Sequence, residues 1–270
     1  MSKRSLYLLP YLLLGGLLIS TVTAADPPAD SFGARLATYD QSSGESYFAL
    51  SLTPRIASED PTSQEVVLLV DTSASQVGLY RDDAFAALDA LVSRLDDQAT
   101  IRLFAVDLTA VPMSDGFVKP AGAEWKQALE KLEARVPLGA TDMVEALRAA
   151  ANCFQTPNKT ARSVVYIGDG ISRANLMDDK EVKAVVSQLV ERRASVSSYV
   201  IGPERDLILP AVVANHTGGM LFVDSDAADS AQKAGAYLAR AVTQPVFWPT
   251  LVQLPDTLVE HYPTEVPPLR

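Results

Sequence analysis

Val66-Val67-Leu68-Leu69-Val70-Asp71-Thr72-Ser73-Ala74-Ser75 is the stretch whose reading decides the fold. Five apolar residues, three of them β-branched, run without alternation into an acid and hydroxyl side chains. Such a run reads as a strand buried on both faces, the environment of a parallel sheet. Its polar end then falls at the carboxyl edge of the sheet, where open α/β folds hold their ligands. Asp71, Ser73 and Ser75 put three oxygen-bearing side chains into five residues, and hard cations such as Mg²⁺ take oxygen ligands.

Outward from this strand the chain alternates strand and helix. A helix is expected around 82–95, where Phe85, Leu88, Leu91, Val92 and Leu95 share a face. A strand at 101–106, a small edge strand at 115–118 and helices at 123–134 and 143–153 follow. Then come a strand at 164–167, a helix at 178–193, a strand at 196–201, a helix at 206–214, a strand at 220–223 and a closing helix at 227–241. Alternation of this length implies an α/β fold with a doubly wound, mostly parallel sheet. Upstream, Phe32–Tyr39 and Ser46–Thr53 read as a hairpin across the turn Asp40–Glu45, and Pro54–Gln64 as a connector. Downstream, Pro245–Pro249 and Leu251–Leu254 suggest extended chain.

The 270 residues are 48% hydrophobic and 21% charged, an ordinary globular balance, and the net charge is −10. A bare nucleic-acid binder is usually basic, so that class is disfavoured. Lys3 and Arg4, an apolar run from Leu6 to Ile19 and small residues up to Ala25 form the pattern of a secretory signal, with cleavage expected after Ala24. The alternative is an uncleaved anchor, against which the run is short and contains Pro10. Export is therefore expected. The single cysteine, Cys153, excludes an intrachain disulfide and reads as a buried thiol.

Two further loops join the first: Gly139-Ala140-Thr141-Asp142 and Gly168-Asp169-Gly170. Asp71 and Asp169 each end a buried strand. If those strands are neighbours across the switch point, two carboxylates face each other over a crevice. Alone they repel; Mg²⁺ or Mn²⁺ between them offsets the charge.

These three loops, in this order, resemble the von Willebrand factor type A (vWA) domain and its metal-ion-dependent adhesion site. The resemblance covers about residues 65–241. It implies a Rossmann-like sheet with the strands of Asp71 and Asp169 side by side. It implies that Ser73 and Ser75 ligate the metal directly, Thr141 directly or through water, and Asp71 and Asp169 through water. An open position would accept an Asp or Glu carboxylate from a partner protein. Many family members continue the first motif as Gly-Ser-Met. Here Ala74 keeps the middle residue small, and Gln76 is expected at the rim, where it would alter the choice of partner. The flanks, Ser46–Pro54 before and Gln244–Arg270 after, resemble those of vWA domains in proteins similar to inter-alpha-trypsin inhibitor heavy chains, as in a truncated or divergent member. The expected organisation is a signal peptide at 1–24, linker and hairpin at 25–64, the vWA domain at 65–241, and an extended, β-forming segment at 242–270.

Plainer readings stand beside these. Asp142, with Glu145 three residues on, is expected to cap a helix. Asp107 reads as a solvated loop residue and His216 as a turn residue without a ligand role. Trp125 and Trp248 read as packing residues. A metal-dependent hydrolase would need a nucleophile and base beside the metal, and no His pair or Gly-rich phosphate loop is present. The expected function is non-enzymatic: a Mg²⁺-centred protein-binding module, with a metal-independent envelope scaffold as the alternative. A membrane is involved only if the signal is retained.

Overall fold

The computed structural model describes residues 33–53, 63–155 and 160–270; the expected signal peptide, the linker after it and most of the connector at 54–64 lie outside them. The chain divides into two compact units, Met1–Ala57 and Ser58–Arg270. In the first, β1 (Gly33–Asp40) and β2 (Ser46–Thr53) pair antiparallel, Leu36 opposite Leu50 and Thr38 opposite Phe48. Gly44, at φ 91°, turns the chain between them.

The second unit carries the α/β sheet. Its elements in chain order are β3 (Gln64–Asp71), α1 (Leu79–Val92), β4 (Ala99–Val106), β5 (Ala110–Pro112), α2 (Ala123–Glu133), α3 (Met143–Cys153) and β6 (Ala161–Gly168). They continue as α4 (Asp179–Glu191), β7 (Ala194–Val200), α5 (Ile208–Thr217), β8 (Leu221–Val223) and α6 (Ser230–Thr243). The strand order is β5-β4-β3-β6-β7-β8, parallel except for β5. From β3 the chain moves outward to β4 and β5, then returns to β6 on the other side of β3. The winding direction therefore reverses between β3 and β6, whose residues pair from Gln64 opposite Ala161 to Val70 opposite Ile167.

The non-alternating apolar run of β3 now has its reason. Val66, Leu68 and Val70 pack with α1, α2 and α6 on one face. Val67 and Leu69 pack with α3, α4 and α5 on the other. Both faces are covered, so both sets must be apolar. Trp125 belongs to the first core and is 7% exposed, as a packing residue should be.

Some boundaries differ from expectation. The small edge strand is Ala110–Pro112, antiparallel to β4; the stretch 115–118 contributes only one bridge, Val118 to Ile101. Proline is tolerated there because the edge of a sheet needs no partner on its outer side. His216 lies in the last turn of α5 rather than in a turn, since the helix runs on to a left-handed Gly218 cap. The segment after α6 forms no strand; its one pairing is Phe247 with Leu269. Asp142 caps α3 as expected, accepting from Glu145 N–H at 3.0 Å.

Gly235 of α6 sets how closely the last helix approaches α1. A Cβ there would lie 2.3 Å from the Ala87 carbonyl oxygen and 2.6 Å from Ala90 Cβ. Gly235→Ala is expected to push the helices apart and cost about 2 kcal/mol, read as a lower urea midpoint at unchanged m-value.

Candidate metal centre

The switch point sits at the carboxyl ends of β3 and β6, and all three loops converge there. An open cleft of about 140 Å³ is lined by Ser73, Ser75, Gly139, Thr141, Asp169 and Arg173, among others. Asp71 lies beneath it, 3% exposed. Backbone bonds lock the loops together: Ala74 N–H to Gly139 C=O at 3.1 Å, Leu138 N–H to Thr72 C=O at 2.9 Å, and Ala174 N–H to Thr141 C=O at 3.1 Å.

The five expected donors form one network. Asp71 Oδ1 accepts from Ser73 N–H at 2.8 Å, a local turn that aims Ser73 into the cleft. Thr141 Oγ1 lies 3.0 and 2.9 Å from the two Asp71 oxygens. Ser73 Oγ and Ser75 Oγ are 3.0 Å apart, and Ser75 Oγ donates to Asp169 Oδ2 at 2.6 Å. Asp169 Oδ1 accepts from Ile171 N–H at 2.9 Å. Asp71 and Asp169, 98 positions apart, are thus joined through Ser73 and Ser75. Among the described residues no three His, Cys, Asp or Glu side chains gather as a metal cluster, so a cation held here would rest on hydroxyls beside two carboxylates.

Burial, opposed by hydrogen bonds from Ser73 and reinforced by the nearby Asp169 charge, raises the Asp71 pKa from 3.8 to about 6. A buried carboxylate that resists ionisation is one whose negative charge lacks a counter-charge, which is what a cation would supply.

Tyr166 was not among the residues singled out from the sequence. It is fully buried in β6, and its hydroxyl donates to Asp71 Oδ2 at 2.8 Å while accepting from Gly170 N–H at 3.1 Å. It ties the first loop to the third. Burial, and then the charges of Asp71 and Asp169, hold its phenol well above its usual pKa, so it stays a donor. A signal was present: a single phenol in an aliphatic strand must find a partner for its hydroxyl, and Gly168, two residues on, is on the same face. A Cβ at Gly168 would lie 2.4 Å from both Asp71 Cβ and Tyr166 Oη, so only glycine leaves room for the pair.

Two expectations are corrected. Gln76 is not at the rim: it is 1% exposed, and its Nε2 donates to Ile201 C=O at 3.1 Å, bracing the first loop against the end of β7. A long amide one residue past the second hydroxyl turns inward here because Gly202 leaves space beside it; a Cβ there would sit 3.3 Å from Gln76 Nε2 and 2.8 Å from Asp169 Cβ. Asp107 is not simply solvated: it pairs with Arg135, whose Nε also donates to Thr72 Oγ1 at 3.1 Å. Cys153 is half-buried, donating to Ala149 C=O at 3.2 Å, and burial raises its thiol pKa.

A doubly wound sheet with an oxygen-lined crevice at its switch point defines a Rossmann-like ligand-binding domain. Within that class the chain belongs to the von Willebrand factor type A domain family, which its residues 64–221 match. The vWA domain is a protein-interaction fold. Among solved structures, the chain is similar to a von Willebrand factor type A protein from Catenulispora acidiphila at a TM-score of 0.61 and 14% identity, over 77% of this chain and 45% of that one. It thus spans less than half of that protein. It is also similar to BatB from Bacteroides thetaiotaomicron (TM-score 0.54, 16% identity, 67% of this chain and 100% of that one). An aerotolerance-related membrane protein from Bacteroides fragilis matches at a TM-score of 0.52 and 15% identity, over 67% of this chain and 98% of that one. At these identities the likeness is one of fold. No curated protein matches the sequence. Among the described residues no helix is long and apolar enough to cross a membrane.

Proposed function

We propose that this chain is an exported binding module that engages a carboxylate of a partner protein through Mg²⁺ or Mn²⁺ held by Asp71, Ser73, Ser75, Thr141 and Asp169. The observation that carries this reading is the spacing of the donors. Adjacent ligands of an octahedral Mg²⁺ at 2.0–2.1 Å lie about 3 Å apart, and Ser73 Oγ and Ser75 Oγ are 3.0 Å apart over an open cleft. Neutral hydroxyls would leave the cation much of its charge, making it an acceptor for an incoming Asp or Glu. The chain's own part is to hold the hydroxyls at that spacing and to shield Asp71 beneath them.

The reading is non-catalytic, in keeping with the interaction fold to which the chain belongs. The signal-like pattern of residues 1–24 supports export.

Calorimetric titration of Mg²⁺ and Mn²⁺ tests the reading. One saturable site is expected in the parent, and Ser73→Ala is expected to weaken it at least about tenfold. No binding by the parent overturns it. A second reading, a metal-independent scaffold, is favoured by one feature: the Ser73–Ser75–Asp169 and Thr141–Asp71 hydrogen bonds already join the donors to one another. Cation-independent capture of a partner, unchanged by Ser73→Ala, is the result expected from that scaffold.

A further inference from the structure

The second unit carries its cleft at one edge of the sheet and a clamped loop at the other. Residues 248–268 leave α6 and return, and Phe247 and Leu269 exchange backbone hydrogen bonds of 2.8 and 2.9 Å at the base of the loop. Arg270 then donates to the carbonyls of Gly218 and Ala241 and to Ser195 Oγ. Ser195 lies at the start of β7, whereas the cleft lies beyond the strand ends. The length of β7 therefore puts roughly 20 Å between clamp and cleft.

Between its clamped ends the loop forms no helix or strand. Pro255–Leu258 is a turn closed by Leu258 N–H to Pro255 C=O at 3.0 Å. Asp256 sits in this turn, exposed and without a hydrogen bond or ion pair among the described residues. Leu254 and Val259, 42% and 100% exposed, flank the turn. Glu260, by contrast, is engaged by the Tyr262 hydroxyl at 2.6 Å. Among the described residues Asp256 and Glu265 are thus both exposed and unengaged, and of the two Asp256 is the one preorganised on a hydrogen-bonded turn between exposed apolar side chains.

The cleft is framed by the matching chemistry. Leu108, Leu138 and Leu176 are 60%, 72% and 91% exposed. Leu108 reaches within 3.9 Å of where a Gly139 Cβ would lie, and Gly139 lines the cleft. Leu138 is fixed by its bond to Thr72, and Leu176 follows Ala174, which is bonded to Thr141. Exposed apolar residues gathered around an open polar cleft mark an interaction site.

The loop is clamped at the end of β7 remote from the cleft, and Asp256 does not line the cleft of its own copy. We propose that the cleft of one copy receives Asp256 of a second copy, with Leu254 and Val259 of that loop against Leu108 and Leu138. This rests on the metal-mediated reading above and names its partner. Because the two surfaces differ, the contact is heterologous: copies join head to tail, in a ring or an open filament, rather than as a two-fold dimer.

Sedimentation velocity of the purified chain over a range of concentrations, in Mg²⁺ and in EDTA, tests this beside a Mg²⁺ titration of the same preparation. Mass is expected to grow with concentration in Mg²⁺ and to stay monomeric in EDTA. Asp256→Asn should weaken association about thirtyfold or more while leaving Mg²⁺ affinity unchanged. Leu138→Ser should weaken it about tenfold, again at unchanged Mg²⁺ affinity. Glu260→Gln should change neither. Saturable Mg²⁺ binding by a chain that stays monomeric, or association that survives Asp256→Asn, overturns the proposal and leaves the metal reading standing. Absence of Mg²⁺ binding overturns both.

Discussion

Asp71→Asn is expected to abolish Mg²⁺ binding and, in EDTA at pH 7.5, to make the domain more stable than its parent. Both effects come from one buried carboxylate. In the folded chain its pKa is raised from 3.8 to about 6, mainly by burial. A group whose folded pKa lies above its unfolded value favours the folded state below the unfolded pKa, and that contribution is lost as pH rises through the folded pKa. The metal-free parent should therefore lose up to about 3 kcal/mol between pH 4 and pH 7 from this group. Asn keeps the shape and cannot ionise, so its stability should be flat over the same window, up to roughly 6–12 °C higher in Tm at pH 7.5. The hydrogen-bond partners tolerate the change, because the hydroxyls of Thr141 and Tyr166 can rotate to accept from an amide. Thermal melts of both proteins in EDTA at pH 4, 6 and 7.5 check this. Equal pH slopes would show that Asp71 is not the group that strains the site. In saturating Mg²⁺ the order is expected to reverse, since ligand that binds only the folded parent stabilises it.

Gly168→Ala is expected to destabilise the domain by about 3 kcal/mol and to remove Mg²⁺ binding with it. The added methyl would lie 2.4 Å from Asp71 Cβ and from Tyr166 Oη, and 2.8 Å from Asp71 Oδ2. No rotamer of alanine avoids this, so Asp71 or the strand must move. Asp71 anchors Ser73 through its N–H and Thr141 through its hydroxyl, and its displacement disperses the donors even in molecules that fold. Tyr166→Phe separates the two consequences. It removes one of the three clashing atoms and the hydrogen bond while keeping the ring, so Gly168→Ala should be less costly in the Tyr166→Phe background than in the parent. Additive losses in this double-mutant cycle would show that the methyl does not act through the phenol.

The fold class was legible because its signals are local. Two apolar strands without alternation, Val66–Val70 and Val164–Ile167, each followed by an apolar helix face, call for a sheet covered on both sides. The core residues of β3 divide between two helical layers for that reason. That the five oxygen-bearing side chains would meet was legible too, since each stands just after a strand or just before a helix, at the carboxyl edge of the sheet. Boundaries were less so: α1 begins at Leu79, three residues before the expected start, after a positive-φ Gly78.

What the chain's pattern left open concerns groups that meet across long separations. Tyr166 finds Asp71 over 95 residues, and Gln76 finds Ile201 over 125. Arg135 turns Asp107 into an ion pair, and Arg270 pins the tail against Gly218 and Ala241. Neighbouring residues carry no record of these partners. Hydrophobic periodicity tells which side of an element is buried, but a buried hydroxyl, amide or guanidinium is positioned by the acceptor that satisfies it. That acceptor is chosen by the order of strands in the sheet. The reversal between β3 and β6 brings Asp71, Tyr166 and Asp169 to one crevice, and the length of β7 sets the Arg270 clamp at the opposite edge.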